Sequence, residues 1–129
     1  PIGIRPWVGK KLPMHSSGVG KALCAWLPQD KMDELLPDEQ LPQYTETTIT
    51  SKKALLKEFA RIREQGWVFD NAEDSPGIYC IAAPVFNRNH EVIAAISISG
   101  VELQMPKECI PQYSQWVREA CQALSAKLV

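Results

Sequence analysis

The strongest hydrophobic periodicity in the chain lies in the segment SKKALLKEFARIREQG, residues 51–66. Its apolar residues recur at helical spacing and form one stripe, made of Leu55, Leu56, Phe59 and Ile62. Ser51 stands where an N-cap belongs, and Gly66 stands where a C-terminal cap belongs. The pattern therefore predicts an amphipathic helix with defined ends.

Two shorter helices are predicted earlier in the chain. The first begins at Ser17 and stops before Pro28, because the apolar residues of this stretch are spaced to share one helical face. These apolar residues are Val19, Leu23, Trp26 and Leu27. Asp30 then opens a second short helix that ends at about Leu36.

Three strand-like runs follow the long helix, and they read WVFD (67–70), GIYCIAAPVF (77–86) and EVIAAISISG (91–100). The turn-like residues 87–90 separate the last two runs, which predicts a β-hairpin. The tail from about Glu108 to Val129 predicts a long amphipathic helix over one face of the sheet. Its apolar positions are Ile110, Tyr113, Val117, Ala120, Cys121, Leu124 and Leu128. The predicted fold class is α+β, with helices layered on an antiparallel sheet.

Two segments are predicted to be extended. IGIRPWVG (2–9) has the character of an edge strand or arm, because Pro6 removes a backbone donor. PDEQLPQYTETTIT (37–50) contains two prolines and many threonines, and it is interpreted as a connector. Strands and helices do not alternate regularly, which argues against a dinucleotide-binding fold.

Composition limits the kinds of partner that the chain can bind. Its 129 residues are about the size of one domain, and its 14 Lys and Arg residues balance 15 Asp and Glu residues. The chain therefore has no overall charge that would attract nucleic acid or a membrane surface. Apolar runs are far shorter than the roughly 20 residues of a spanning helix, so a soluble, cytoplasmic protein is expected. The cysteines are widely spread without a C-x-x-C motif, which favours reduced thiols: Cys24, Cys80, Cys109 and Cys121.

The motif MHSSGVGK (14–21) superficially matches a phosphate-binding loop. However, Lys21 is followed by Ala22 where that loop needs Ser or Thr, and Gly18 lies only two residues before Gly20. A nucleotide phosphate loop is therefore disfavoured.

Two interpretations of this helix start stay open. In one, Ser16 or Ser17 caps the helix, and the glycines let backbone N–H groups approach a carboxylate ligand. In the other, the serine only caps the helix, and the glycines allow close packing against the sheet. The two roles are compatible.

Three motifs, in this order and spacing, resemble the effector-binding domain of IclR-type transcription regulators. They are S-G-x-G-K-A at 17–22, G-x-x-x-D followed by G-x-x-C-I-A-A-P-V-F within 66–86, and A-x-S-I-S-G at 95–100. The resemblance implies a curved antiparallel sheet of the GAF or profilin type and an upstream winged helix-turn-helix DNA-binding domain. Residues 1–129 are thus expected to be an effector-binding domain truncated at its N-terminal side, with the DNA-binding domain absent from this chain. Homodimers or homotetramers, and DNA contact only through the missing domain, are also implied.

The resemblance places eight residues at a ligand pocket: Ser17, Gly18, Val19, Asp70, Ile78, Cys80, Ser97 and Ser99. Strand geometry agrees, because residues two apart, such as Ser97 and Ser99, project from the same face. A solvent-facing strand surface is the alternative for this serine pair.

The chemistry of the eight residues favours a small carboxylate as the ligand. Backbone N–H groups and hydroxyls suit a carboxylate, while an ionised Asp70 accepts hydrogen bonds from a hydroxyl or hydrate. No Arg or Lys is among the matched positions, which favours a monoanionic oxo-acid, hydroxy-acid or sugar acid over phosphates. Lys21, one turn along the helix, could give distant help. No cofactor, catalytic residue or membrane partner is expected.

Three other functions stay open. A redox enzyme would use Cys80 as nucleophile with His15 or His90 as base. A metal site would combine His15, Asp70 and Cys80, although their spacing forms no compact ligand motif. An oligomerisation module with a vestigial pocket would make contacts through surface apolar residues: Trp7, Trp67, Met105 and Pro106.

Overall fold

Four α-helices and three β-strands form the part of the chain that the computed structural model describes, residues 8–128. The helices are α1 (Gly18–Cys24), α2 (Gln29–Leu35), α3 (Lys52–Gln65) and α4 (Ile110–Lys127). The strands are β1 (Val68–Asp70), β2 (Ile78–Phe86) and β3 (Val92–Val101), and two 3₁₀ turns, Glu102–Gln104 and Lys107–Cys109, lead into α4. The edge strand predicted at 2–9 lies almost wholly outside the described residues.

Helix α3 has the ends that the sequence predicts. The Ser51 hydroxyl accepts a hydrogen bond from the Ala54 amide at 3.0 Å. Gly66 adopts the left-handed conformation, with φ of 88°, and its amide donates to the Ile62 carbonyl. Leu55, Phe59 and Ile62 are buried, so the predicted apolar stripe is confirmed.

The sheet is antiparallel with the order β1-β2-β3. Strands β2 and β3 form the predicted hairpin, and the Asn87 side chain closes its turn by accepting from the amides of Asn89 and Glu91 at 2.9 Å each. The connector at 37–50 contains no helix. An isolated antiparallel β-bridge pairs its Gln40 with Ser51, the residue before α3.

Helices cover both faces of the sheet. On one face, α1 packs on the strands. Buried residues of α1 and α3 form one hydrophobic core there with Val68, Cys80 and Ala82 of the sheet. On the other face α4 packs against the alternate residues of β2, which are Ile81, Ala83 and Val85. The predicted α+β architecture is confirmed. No helix within residues 8–128 is long and apolar enough to cross a membrane.

The apolar faces predicted for the first and last helices are partly wrong. Helix α1 ends at Cys24 and buries small residues against the sheet, so Leu23 points outward and is 37% exposed. In α4, Leu124 is 39% exposed, because Ser125 faces the sheet instead and its hydroxyl accepts from the Phe86 amide. The buried stripe of α4 is therefore narrower than its sequence pattern.

None of the residues predicted for oligomer contacts that the structure describes is fully exposed. Met105 is buried and Trp67 packs against the same core as α4, while Trp7 lies outside the described residues. Pro106 is half-buried. Leu103 and Trp116 are the large apolar residues exposed near this end of the fold, at 93% and 55%.

Candidate functional site

Asp70, Cys80 and Ser99 form one row across the sheet. Asp70 of β1 is the register partner of Cys80 in β2, and Cys80 is the register partner of Ser99 in β3. Cys80 belongs to the core beneath α1, so the row faces that helix. Ser97 pairs with Ala82 in the neighbouring row and shares the face. The sheet thus brings together four of the eight predicted site residues.

The Cys80 thiol is buried within this row. Burial raises its pKa, and the nearby Asp70 charge acts in the same direction, while hydrogen bonds with the hydroxyls of Ser99 and Ser97 lower it. Reactive cysteines depend on a lowered pKa that supplies thiolate. The environment therefore stabilises a neutral thiol and disfavours the redox-enzyme alternative.

Gly18 brings the start of α1 into contact with the row. A Cβ atom at Gly18 would lie 2.8 Å from the Cys80 Sγ atom and 3.5 Å from the Ala82 Cβ atom. Any larger residue would have to displace the thiol or the helix. The packing interpretation of this glycine is thus supported by the structure, and a ligand contact through its backbone stays a prediction.

Ser17 is the N-cap of α1. Its hydroxyl accepts from the Gly20 amide at 2.9 Å and donates to the Pro13 carbonyl at 2.7 Å. Ser16 has another role, since its hydroxyl donates to the Asp74 carboxylate at 2.8 Å. The hydroxyl proton of Ser17 is donated to the Pro13 carbonyl, so this hydroxyl could only accept a hydrogen bond from a ligand.

Val19 and Ile78 are the two apolar residues predicted for the site. Both are half-buried, Val19 in the first turn of α1 and Ile78 at the start of β2, two residues before Cys80. Because side chains alternate along a strand, Ile78 projects from the face that carries the row.

Asp70 is a buried carboxyl at the end of β1, with only 5% of its surface exposed. Its pKa is raised from 3.8 to about 7, chiefly by burial; the charges of Glu73 and Asp74 act in the same direction, while the hydrogen bond from the Glu73 amide and the charge of Lys21 oppose the shift. Near neutral pH the carboxyl is therefore partly protonated. The expectation of a purely accepting, ionised Asp70 is incomplete, because the protonated form also donates.

A buried ion pair between Lys21 and Glu73 supports this site, and it was not foreseen from the sequence. Lys21 is fully buried on α1, and its Nζ atom donates to the Glu73 Oε1 atom. The other carboxylate oxygen of Glu73 accepts from the Asn71 amide at 2.9 Å, and the Glu73 carbonyl accepts from the Thr48 hydroxyl at 2.6 Å. The ammonium that was expected to help the ligand from a distance is thus bound to Glu73.

A local signal for this pair existed, but it was incomplete. Lys21 follows Gly18 by three residues, which places it on the helix face that meets the sheet. A buried lysine needs a partner, but the partner is 52 residues away and no spacing rule connects the two.

The two histidines have roles away from Cys80. His15 is buried, its Nε2 atom lies 2.7 Å from the Pro42 carbonyl oxygen, and its ring is 5.6 Å from that of Tyr44. His90 is in the hairpin turn and stacks on Phe86 at 4.3 Å. Within residues 8–128, no group of three or more His, Cys, Asp or Glu side chains is placed to hold a metal ion.

An open cleft of about 410 Å³ lies between the connector and the loop after β1. Its walls are the 45–47 turn and the loop after β1, through Thr45, Glu46, Thr47, Ala72, Pro76 and Gly77. The Thr47 hydroxyl joins the two walls by donating to the carbonyls of Asn71 and Ala72 at 2.7 and 3.0 Å. None of the eight predicted residues lines this cleft, so it is distinct from the predicted pocket.

Comparison with known proteins gives one consistent family. Residues 2–126 match the family model of the bacterial transcriptional regulator IclR, C-terminal domain. The chain is 46% identical over 107 residues to the HTH-type transcriptional regulator RhmR of Escherichia coli (strain K12), which covers 83% of the chain and 41% of RhmR. It is 38% identical over 121 residues to the regulator KdgR of the same organism, covering 94% of the chain and 46% of KdgR. The chain thus spans less than half the length of either relative.

Solved structures agree with this assignment. The crystal structure of the C-terminal domain of E. coli KdgR superposes with a TM-score of 0.85 at 38% identity, covering 93% of this chain and 73% of that chain. The PobR inducer-binding domain from Acinetobacter, solved as a double mutant with 3-hydroxybenzoic acid, gives a TM-score of 0.84 at 25% identity, with coverages of 97% and 74%. The chain belongs to the IclR family of bacterial transcriptional regulators and corresponds to their C-terminal domain.

Proposed function

We propose that this chain is the ligand-sensing part of a transcription regulator, and that it binds a small carboxylate at the row Asp70, Cys80 and Ser99 beneath the start of α1. One observation carries the proposal: a carboxyl, a thiol and a hydroxyl are aligned by strand register on the face that α1 covers. A few polar side chains placed side by side in an otherwise apolar sheet suit the recognition of a small polar ligand.

The residues around the row offer the contacts that a carboxylate needs. Ser99 is exposed and Ser97 half-buried, so their hydroxyls can reach a ligand as well as the thiol. The first amides of α1, at Gly18 and Val19, are among those that a helix start leaves without a partner. Val19 and Ile78 would contact the apolar part of an oxo-acid, hydroxy-acid or sugar acid. Support also comes from PobR, whose inducer-binding domain was solved with an aromatic acid.

We place this domain in a longer cytoplasmic regulator. RhmR and KdgR are HTH-type regulators of more than twice the matched length, so a separate helix-turn-helix domain would contact DNA. The effector domain would assemble as a homodimer or homotetramer. Ligand binding would then alter DNA binding by the whole protein.

A thermal-shift screen tests the proposal directly. Pyruvate, D-gluconate and 3-hydroxybenzoate are suitable probes, with chloride at matched ionic strength as the control. A ligand that binds only the native state raises the apparent melting temperature by mass action. Each acid that gives a shift is then titrated calorimetrically against the parent, Ser99→Ala and Ser75→Ala, an exposed serine outside the row.

Loss of the Ser99 hydroxyl should weaken binding by about 1–3 kcal/mol if its hydrogen bond is to a charged ligand, while Ser75→Ala should bind like the parent. The proposal fails if no acid shifts the melting temperature. It also fails if Ser97→Ala and Ser99→Ala both retain the parent affinity, because the ligand would then bind elsewhere.

A further inference from the structure

Asp70 is surrounded by charges that leave it without a cation of its own. Three charged side chains act on it: Glu73 and Asp74 from the loop after β1, and Lys21 from α1. Lys21 is bound to Glu73, so these two charges largely cancel. Asp74 accepts from the Ser16 hydroxyl and keeps its negative charge nearby. Across the sheet, Asp70 faces the Cys80 thiol, which contributes no positive charge.

One oxygen of the Asp70 carboxyl is available to a ligand. Its Oδ1 atom accepts from the Glu73 amide at 2.8 Å, and this is the side-chain hydrogen bond of Asp70 within the described residues. Over the same residues, no buried side-chain oxygen or nitrogen lacks a hydrogen-bond partner. No described residue forms a hydrogen bond with the Oδ2 atom, and Asp70 lies in the row that also carries Cys80 and Ser99.

The negative charge of Asp70 and the lack of a free cation beside it oppose the binding of an anion, unless a proton is added. A ligand carboxylate at the row would meet an ionised Asp70 that is itself buried, with no unpaired ammonium among the groups that act on it. Two carboxylates in such a site do not both stay ionised, and they share one proton instead. A protonated carboxyl can donate a short, strong hydrogen bond to a carboxylate oxygen.

We propose that binding of a carboxylate at this row takes up one proton from solution, and that Asp70 is the group that holds this proton. The inference rests on the proposed function and deepens it. In the complex, the Oδ2–H group of Asp70 donates to one ligand oxygen, while Oδ1 keeps its bond to the Glu73 amide. The proton comes from the buffer, so the complex holds one more proton than the free protein and free ligand at alkaline pH.

The pKa of about 7 for the free carboxyl sets the pH range of the effect. Below that pH the free protein already holds the proton, and affinity should depend little on pH. Above it, affinity should fall roughly tenfold per pH unit, because each binding event must also bind a proton. The Cys80 thiol does not interfere below pH 8.5, since its pKa is raised above its ordinary value of 9.0.

Calorimetry in paired buffers measures this proton. The parent chain is titrated with pyruvate, D-gluconate and 3-hydroxybenzoate at half-unit steps from pH 6.0 to 8.5, each in two buffers that hold that pH: phosphate and imidazole in the lower half of the range, EPPS and Tris in the upper half. These buffers differ widely in ionisation enthalpy, so the difference in observed heat gives the number of protons taken up. We expect uptake to approach one per ligand at pH 8.5 and to fall toward zero at pH 6.0.

Two variants test whether Asp70 is the group that takes up the proton. Asp70→Asn keeps an oxygen for the Glu73 amide and supplies a permanent N–H donor. It should bind without proton uptake, with one affinity from pH 6.0 to 8.5. Asp74→Asn removes the neighbouring carboxylate and should retain the uptake. Should Asp70→Asn fail to fold, the buffer difference of the parent decides the question alone.

The failures of the two proposals are distinguishable. An acid that binds the parent with equal affinity at every pH, and with equal heats in both buffers, overturns the role of Asp70 and leaves carboxylate sensing intact. Retention of proton uptake in Asp70→Asn also overturns it, because another group must then hold the proton. Binding of none of the three acids at any pH overturns the proposed function, and the inference with it.

Discussion

Replacing Asp70 with asparagine should change how the stability of the free protein depends on pH. The pKa of Asp70 is about 7 in the native state, against an ordinary value of 3.8, because the carboxyl is buried. Between these two values the unfolded chain has released the proton while the native state still holds it. The contribution of Asp70 to stability should therefore be most favourable below about pH 4 and fall as pH rises toward 7.

The magnitude follows from the two pKa values. With 1.36 kcal/mol per pKa unit, this linkage gives a loss of roughly 3 kcal/mol between pH 5 and pH 8 in the parent. The amide introduced by Asp70→Asn would not titrate, and its oxygen can still accept from the Glu73 amide. We therefore expect the variant to lack this loss and to be more stable than the parent at pH 8.

Urea unfolding of both proteins at pH 5, 6, 7 and 8 gives the comparison. Other groups titrate similarly in the two proteins, so the difference between the two curves isolates Asp70. Asp38→Asn, at an exposed carboxyl before α3, is the matched control and should run parallel to the parent. The reasoning would be refuted if the free energies of unfolding of Asp70→Asn and the parent differed by the same amount, within about 0.5 kcal/mol, at every pH. Asp70 would then titrate normally in the native state.

Three further substitutions, measured by urea unfolding, test two contacts of the site and the cap of α3. Lys21→Met should cost about 3–5 kcal/mol because Glu73 would keep a buried, unpaired charge, and Glu73→Gln in the same chain should recover part of the loss. Gly18→Val should cost about 1–3 kcal/mol through overlap with the Cys80 thiol, and Cys80→Ala should reduce that cost; an equal cost in both backgrounds would contradict the contact. Ser51→Ala should cost about 1 kcal/mol through loss of the α3 cap, and an unchanged stability would contradict the cap.

The elements that the sequence predicts well are those with local signals. Helix α3 has a capping serine, a terminal glycine and an apolar stripe within 16 residues, and all of them act as predicted. The β2–β3 hairpin is similar, because Asn87 closes a short turn between two apolar runs. Leu23 and Leu124 show the limit of such signals: which side of a helix is covered depends on where the sheet lies.

The candidate site is less predictable, because its chemistry depends on contacts between distant segments. The spacing of Ser97 and Ser99 predicts that they share a face, and the sheet agrees. Nothing in the spacing predicts that Asp70, Cys80 and Ser99 occupy one row, since register between strands is set by packing. The resemblance to known regulators, carried by the motifs, supplied that grouping.

The ion pair of Lys21 and Glu73 links the fold to the proposed chemistry. An unpaired Lys21 beside Asp70 would hold that carboxyl ionised, as a nearby cation ordinarily does. Because Glu73 takes the ammonium, Asp70 is left in a buried position with two acidic neighbours and a raised pKa. The native state thus keeps a carboxyl that destabilises it at neutral pH, and a bound proton relieves that cost. If a carboxylate ligand stabilises that proton, the same residue that weakens the free protein strengthens the complex. A Glu73→Gln substitution would free Lys21 to pair with Asp70, and it should lower the pKa of Asp70 and weaken carboxylate binding together.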